Sequence, residues 1–342
     1  MPPLYARWMA DLLPDPVVGE PGATCSDCAM VALPKALLAA SELAFEPTTK
    51  CCTFLPSLPN FQVGLALAEV DSPGRATVIQ RLHARDAVTP LGLGRSAAFS
   101  DSYAANPSWF GRNPQIKCPH YLADGRCGVW KFREATCATW FCKHDRGVVS
   151  KKFWRALQRL LSRIEDELSY WCTQQLGADT ELVRQIYEGG EGGATIIDAS
   201  SDPRAVWGPW SGREEELYRA AATLVEPMGW VDVARIAGPG LADEADELVE
   251  SLEALESQDL PARMGSGEVR LIQIGETTGW VSGYSEFDPR ELPLEVLDVI
   301  PDVEGLTVEE VQTLAERRGL TLEAREIREL LDFEFLLPMV GD

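Results

Sequence analysis

Cysteine sets the chemistry open to this 342-residue chain: there are nine, and eight of them fall into two groups. Cys118, Cys127, Cys137 and Cys142 lie within 25 residues, and ahead of them stand Cys25-Ser26-Asp27-Cys28 and the adjacent pair Cys51-Cys52. Cys172 stands apart. Thiols gathered among turn-forming residues and charges such as Asp27, Lys50, Lys117 and Lys143 can be disulfides, packed side chains or metal ligands. Disulfides need an oxidising compartment, and Met1–Asp15, with Arg7, Asp11, Pro14 and Asp15, lacks the apolar core of an export signal. A packed thiol behaves as a small hydrophobe, which suits Cys172 and not the other eight. The expectation is a cytoplasmic protein in which Cys25, Cys28, Cys51, Cys52, Cys118, Cys127, Cys137 and Cys142 bind metal.

Spacing bears on which metal. Structural zinc sites favour two close Cys-x2-Cys pairs, and only Cys25 and Cys28 form one. Eight residues separate Cys118 from Cys127, nine separate Cys127 from Cys137, and four separate Cys137 from Cys142. Loops of that length suit a larger cluster met by thiolates from several directions. The expected cofactor is an iron–sulfur cluster of the [4Fe–4S] type, with zinc as the alternative. The cysteine runs of radical-SAM enzymes and ferredoxins are absent. His120 and His144 each stand two residues beyond a cluster cysteine and are weaker candidates, because eight thiols already supply enough ligands. His83 reads as a surface residue.

Cys118-Pro119, Asp124-Gly125-Arg126-Cys127, Arg133 and the Cys137–Cys142 segment resemble the second half of the YkgJ-like cysteine-cluster family, written CP-x-L-x-x-GRC-x-x-Y-x-x-RP-x-x-C. Cys25-x2-Cys28 and Cys51-Cys52 resemble that family's N-terminal CxxCxxCC half, although 22 residues separate Cys28 from Cys51 where the family has two. Trp130 stands in place of the tyrosine, and Glu134 follows Arg133 where the family has proline. The resemblance covers roughly residues 20–150 and implies a zinc- or iron-chelating domain. A flagellin lysine N-methylase contains one, so the resemblance also admits a protein-modifying enzyme.

The elements that must position these residues are mainly helical, around an irregular cysteine-rich metal-binding region. Ser150–Gly177 carries Phe153, Leu157, Leu160, Leu161, Ile164, Leu168 and Trp171 at three- and four-residue steps, the signature of a long amphipathic helix. Further helices are expected over Val31–Glu46, Phe61–Glu69, Gly74–Ala87, Asp179–Glu188, Glu214–Val225 and Leu241–Leu260. Pro90–Asn113 reads as a Gly- and Ser-rich loop, and Gly189–Gly193 as a flexible connector. Near the C-terminus, Val269–Ile274 and Trp280–Tyr284 alternate like the strands of a hairpin. Short helices follow at Pro293–Ile300, Thr307–Arg318, with Thr307 and Glu310 as a capping box, and Leu322–Phe333. This hairpin with three helices resembles a small α+β winged-helix or PqqD-like module. The expected domains are residues 1–180, 181–260 and 261–342.

Charge is divided as unevenly as cysteine. Residues 1–180 hold 19 Lys and Arg against 17 Asp and Glu, and residues 181–342 hold 12 against 36, within a net charge of −22. From Arg112 to Arg163 there are 12 basic and 3 acidic side chains. This positive island either compensates an anionic thiolate cluster or receives an anionic ligand. The acidic C-terminal module excludes DNA and suits a protein or basic peptide partner. No apolar run reaches the length of a membrane span. The expected function is a metal centre, structural or redox. The alternatives are a peptide-modifying enzyme of the lysine N-methylase type and a zinc-stabilised interaction module. No pattern in the chain names a catalytic residue.

Overall fold

The computed structural model describes residues 1–17, 19–34, 37, 43–85, 87–189 and 202–339. About half of the chain is helical, with small antiparallel sheets, so it is mainly α with some β. Among the described residues no helix is long and apolar enough to cross a membrane. The chain forms two compact units. Met1–Gly19, Phe45–Trp140 and Arg155–Val249 make the first; Glu20–Ala44, Phe141–Trp154 and Glu250–Asp342 make the second.

The first unit holds helices α1 (Pro3–Ala10), α2 (Asn60–Ala68), α3 (Pro73–Ala84), α4 (Ala97–Ala105) and α5 (Ala135–Thr139). Most of α6 (Gly147–Gln175) follows, then α7 (Glu181–Glu188), α8 (Pro203–Trp207), α9 (Glu214–Val225), α10 (Trp230–Ala237) and the first turns of α11 (Leu241–Glu256). Strands β1 (Leu58–Pro59), β2 (Val88–Thr89) and β3 (Gly92–Leu93) form a small antiparallel sheet in the order β1-β3-β2. Helix α2 is apolar nearly all round, so it is buried on nearly every side. It lies against α9 so closely that a Cβ on Gly64 would stand 1.9 Å from the Tyr218 carbonyl oxygen. The expected stripe on α6 is buried, with Leu157, Leu160, Leu161, Ile164, Leu168 and Cys172 all fully enclosed.

The second unit takes strands β4 (Met264–Ser266), β5 (Arg270–Ile274), β6 (Thr278–Ser282) and β7 (Arg290–Pro293). Helices α12 (Leu294–Val299), α13 (Val308–Arg317) and α14 (Ala324–Asp332) follow, and β8 (Leu336–Pro338) closes it. The expected hairpin is β5–β6, and β7 adds a third antiparallel strand; β8 returns to pair with β4. Val281, Val299, Val303, Val311, Ile327, Phe333 and Phe335 form its core. The capping box is present, with Thr307 accepting from the Glu310 amide and the Glu310 carboxylate accepting from the Thr307 amide.

Three sequence expectations need correction. Pro90–Asn113 is not a loop throughout: it carries β3 and the Ser96-capped helix α4, whose small residues gave no apolar stripe. Helix α10 falls where no helix was expected. Of the helix expected over Val31–Glu46, residues 31–34 and 44–46 are turn and irregular chain and not helix, while 35–36 and 38–42 lie outside the described residues, as does the glycine run beyond Gly189.

Candidate metal centre

Cys118 and Cys127 are the two arms of a tight hairpin. Tyr121 pairs with Cys127 across it, the Leu122 amide donates to the Arg126 carbonyl at 2.9 Å, and the Gly128 amide to the His120 carbonyl at 2.7 Å. The tip is Asp124-Gly125. Asp124 Oδ1 accepts from the Arg126 amide at 3.0 Å, and Gly125 takes a φ of +81° that a side chain would strain. Cys118 is buried, and the Tyr121 amide donates to its carbonyl at 3.0 Å. Burial pushes the Cys118 thiol up to about 12, against a smaller opposing influence of the His120 backbone amide. The Cys118 amide donates to the Cys52 carbonyl at 2.8 Å, which seats the Cys51-Cys52 pair beside the hairpin.

Cys137 reaches the same place from α5. Glu134, standing where the resembled family has proline, is the N-cap of that helix and accepts from the amides of Thr136 at 2.6 Å and Cys137 at 2.9 Å. Burial first, then the charge of Glu134, then those of Cys118 and Cys127 hold the Cys137 thiol well above its ordinary value. Cys118, Cys127 and Cys137 therefore lie within one another's electrostatic reach. Beneath α5, Glu165 of α6 is fully buried and accepts from the Ala135 amide at 3.0 Å and from the Tyr5 hydroxyl. The Gln62 amide completes this layer, its nitrogen best satisfied by the carbonyls of Phe132 and Arg133. Burial, reinforced by Glu134, raises the Glu165 carboxyl well above the usual range.

Helix α3 supplies residues that sequence reasoning did not single out. Arg81 is buried, donates to the carbonyls of Pro56 and Gly94, and its charge reaches both Cys118 and His120. Thr77 Oγ1 lies 2.8 Å from His120 Nδ1. His120 is fully buried; burial, then Arg81, pushes its pKa down to about 3, so it is neutral. Neither Thr77 nor Arg81 carries a local signal, because the fold alone brings α3 to the hairpin.

Cys25, Cys28 and Cys142 belong to the second unit. Burial, then the nearby Cys28, pushes the Cys142 thiol up to about 12. Close by, the Tyr284 hydroxyl donates to Asp288 Oδ2 at 2.5 Å, the His144 amide donates to the same oxygen at 3.2 Å, and Lys143 and Arg290 face its partner. His144 Nδ1 lies 3.2 Å from the Tyr284 oxygen.

Half of the positive island is paired: Arg126, Lys131, Lys143, Arg146, Arg159 and Arg163 each reach a carboxylate. The charge of buried Arg81 reaches Cys118, and that of Lys143 reaches Cys142. The described residues include all nine cysteines, and none is in a disulfide. Among the described residues no three His, Cys, Asp or Glu side chains form a ready ligand set. Thiols are soft donors, and the buried His120 Nε2 has no hydrogen-bond partner. The chain matches no protein-family model, no curated protein and no solved structure.

Proposed function

We propose that this chain is a metal-binding cysteine-cluster protein whose first unit holds a centre, iron–sulfur in type, on the thiolates of the hairpin and α5 with Cys51 and Cys52 as further candidate ligands, while Cys25, Cys28 and Cys142 are the candidate ligands of the second unit. The observation that carries this reading is the hairpin that holds Cys118 and Cys127, tied to Cys52 through the Cys118 amide, with Cys137 close enough for its thiol to feel both. A bound cluster would supply one-electron chemistry or a structural cross-link. The chain's own residues would bury such a centre, with Arg81 offsetting charge at Cys118 and Glu134 capping the helix that carries Cys137. Zinc in the same ligands is the second form of this reading.

The C-terminal module fits a winged-helix-like partner site, supported by its three-stranded sheet followed by α12–α14. Its 18 acidic against 6 basic residues from Glu268 to Asp342 favour a basic peptide or protein. Anaerobic purification with an absorption spectrum and elemental analysis tests the centre. A brown protein with equal iron and sulfide supports the cluster, zinc without sulfide supports the structural form, and a metal-free protein that takes up neither rejects both.

A further inference from the structure

We propose that the groove between α10 and α11 of the first unit is a docking site for a basic amphipathic helix of a partner protein. It is independent of the metal centre. The groove has a volume of about 500 Å³ and is open on one side, a size that ordinarily takes a ligand. Small residues create it. Ala234, Gly238, Ala242 and Ala245 line it from α10, its C-cap and α11, too short to fill the space, and Leu12 and Trp230 complete an apolar wall.

Two features favour a helix over a small molecule. A small-molecule pocket carries polar groups that converge inside it to orient the ligand. The charged residues of this lining, Arg235 and Asp246, are both exposed and belong to the rim. The apolar surface also outruns the cavity. Val231 is 78% exposed, and it stands three and four residues before Ala234 and Arg235, one turn back along the same stripe of α10. A cavity extended by an exposed apolar stripe fits apolar side chains presented one turn apart, the pattern of a helix laid in a groove.

Charge selects the sign of that helix. Arg235 is tied back along α10 to Asp232 at 2.8 Å, so the cation of the rim is offset within its own helix. On α11, Glu244 and Glu247 pair with Arg163 and Arg159 of α6. Asp246 lines the groove, and Asp243, three residues earlier, is its neighbour on the helix surface. Apolar contact with two carboxylates beside it suits Lys or Arg flanking the apolar face of the partner and repels an acidic one.

The test titrates the full-length protein, with labelled Ala, Leu and Val methyl groups, against two synthetic amphipathic helices, one of Leu and Lys and one of Leu and Glu. The proposal expects saturable shifts at the methyls of Val231, Ala234, Ala242 and Ala245 with the Lys peptide and none with the Glu peptide. Ala234→Trp, which fills the groove from a half-buried position, should weaken the Lys peptide about tenfold or more, as blocking a central apolar contact does. As a second arm on the exposed rim, Asp243→Lys combined with Asp246→Lys should weaken it severalfold and flatten its salt dependence. The urea midpoint of each variant checks its fold, and either variant alone decides the question. Shifts confined to the C-terminal module, binding that survives either variant, equal binding of the two peptides, or no binding of the Lys peptide to wild type each overturns the proposal and leaves the metal-centre reading standing.

Discussion

Cys172 and Cys127 carry the same thiol in opposite settings. Cys172 lies fully buried on the apolar stripe of α6, where burial pushes it up to about 12. Cys127 lies half-buried on the hairpin, within reach of two other thiols. Cys127→Ser or Cys137→Ser should therefore release the metal and destabilise the chain, because ligation energy is folding energy. Cys172→Ser should leave metal content unchanged while costing about 1–3 kcal/mol for a buried hydroxyl; metal analysis beside urea unfolding separates the two effects. Glu165 offers a second residue-scale test. Its folded pKa is raised above the unfolded one, so the native state keeps a proton that the unfolded chain loses. Stability is then full below the ordinary carboxylate range and falls as pH rises towards the raised value, by about 1.4 kcal/mol per pH unit for one proton. Urea unfolding at several pH values should show Glu165→Gln with a shallower fall than wild type. At this scale spacing singles out Cys118, Cys127 and Cys137, whose charges reach one another in the fold. Glu134 was visible only as a departure from a motif, and Thr77 not at all, since its hydroxyl matters through a contact 43 residues away.

The elements best read from sequence are those whose burial follows a simple period. Glu214–Val225 was expected and found with the same bounds, and α6, α13 and α14 within two or three residues. Helix α4 was missed because its Ala and Ser residues show neither apolar alternation nor a stripe, and β7 because Arg-Glu-Leu-Pro reads as a lead-in to the next helix. The closeness of α2 and α9 was equally hidden, because Gly64 carries no local signal of a helix contact. It is the point where the Tyr218 carbonyl enters. A Cβ at 1.9 Å from that backbone oxygen cannot be absorbed by a rotamer change, so the helices must separate. Gly64→Ala should cost about 1–3 kcal/mol by overpacking, against a gain of up to about 1 kcal/mol in helix propensity. Urea titration should show net loss, and a variant as stable as wild type would mean that α2 and α9 are not packed as described.

At the scale of the molecule, sequence order and spatial grouping part company. Residues 20–44 and 141–154 belong with 250–342 in the second unit, and nothing in local composition announces contacts across more than a hundred residues. The bonds that make this grouping are specific. Arg146 forks onto Asp332 at 2.9 and 3.0 Å and also donates to the carbonyls of Leu255 and Ser257. Glu20 ties the Asp145 amide to the Trp154 indole, and His144 meets Tyr284 and Asp288. Arg146 and Asp332 are both mostly buried, at 20% and 11% side-chain exposure. Removing one partner leaves a poorly solvated charge, a loss that can reach about 3–5 kcal/mol for a fully buried pair and less here. A chain cut after Val249 would leave Arg146, His144 and partly buried Val148 without Asp332, Tyr284, Asp288 and the core they pack on, keeping only the Glu20 bonds to Asp145 and Trp154. In hydrogen exchange, residues 141–154 of the truncated chain should lose protection by orders of magnitude, while Leu157–Leu168 of the same helix stay protected by their own unit's core. Asp332→Ala in the full chain should move the same stretch in the same direction by a smaller amount. Protection of 141–154 that survives truncation would show that this segment is held by residues before Val249, and Cys142 would then have to be assigned to the first unit.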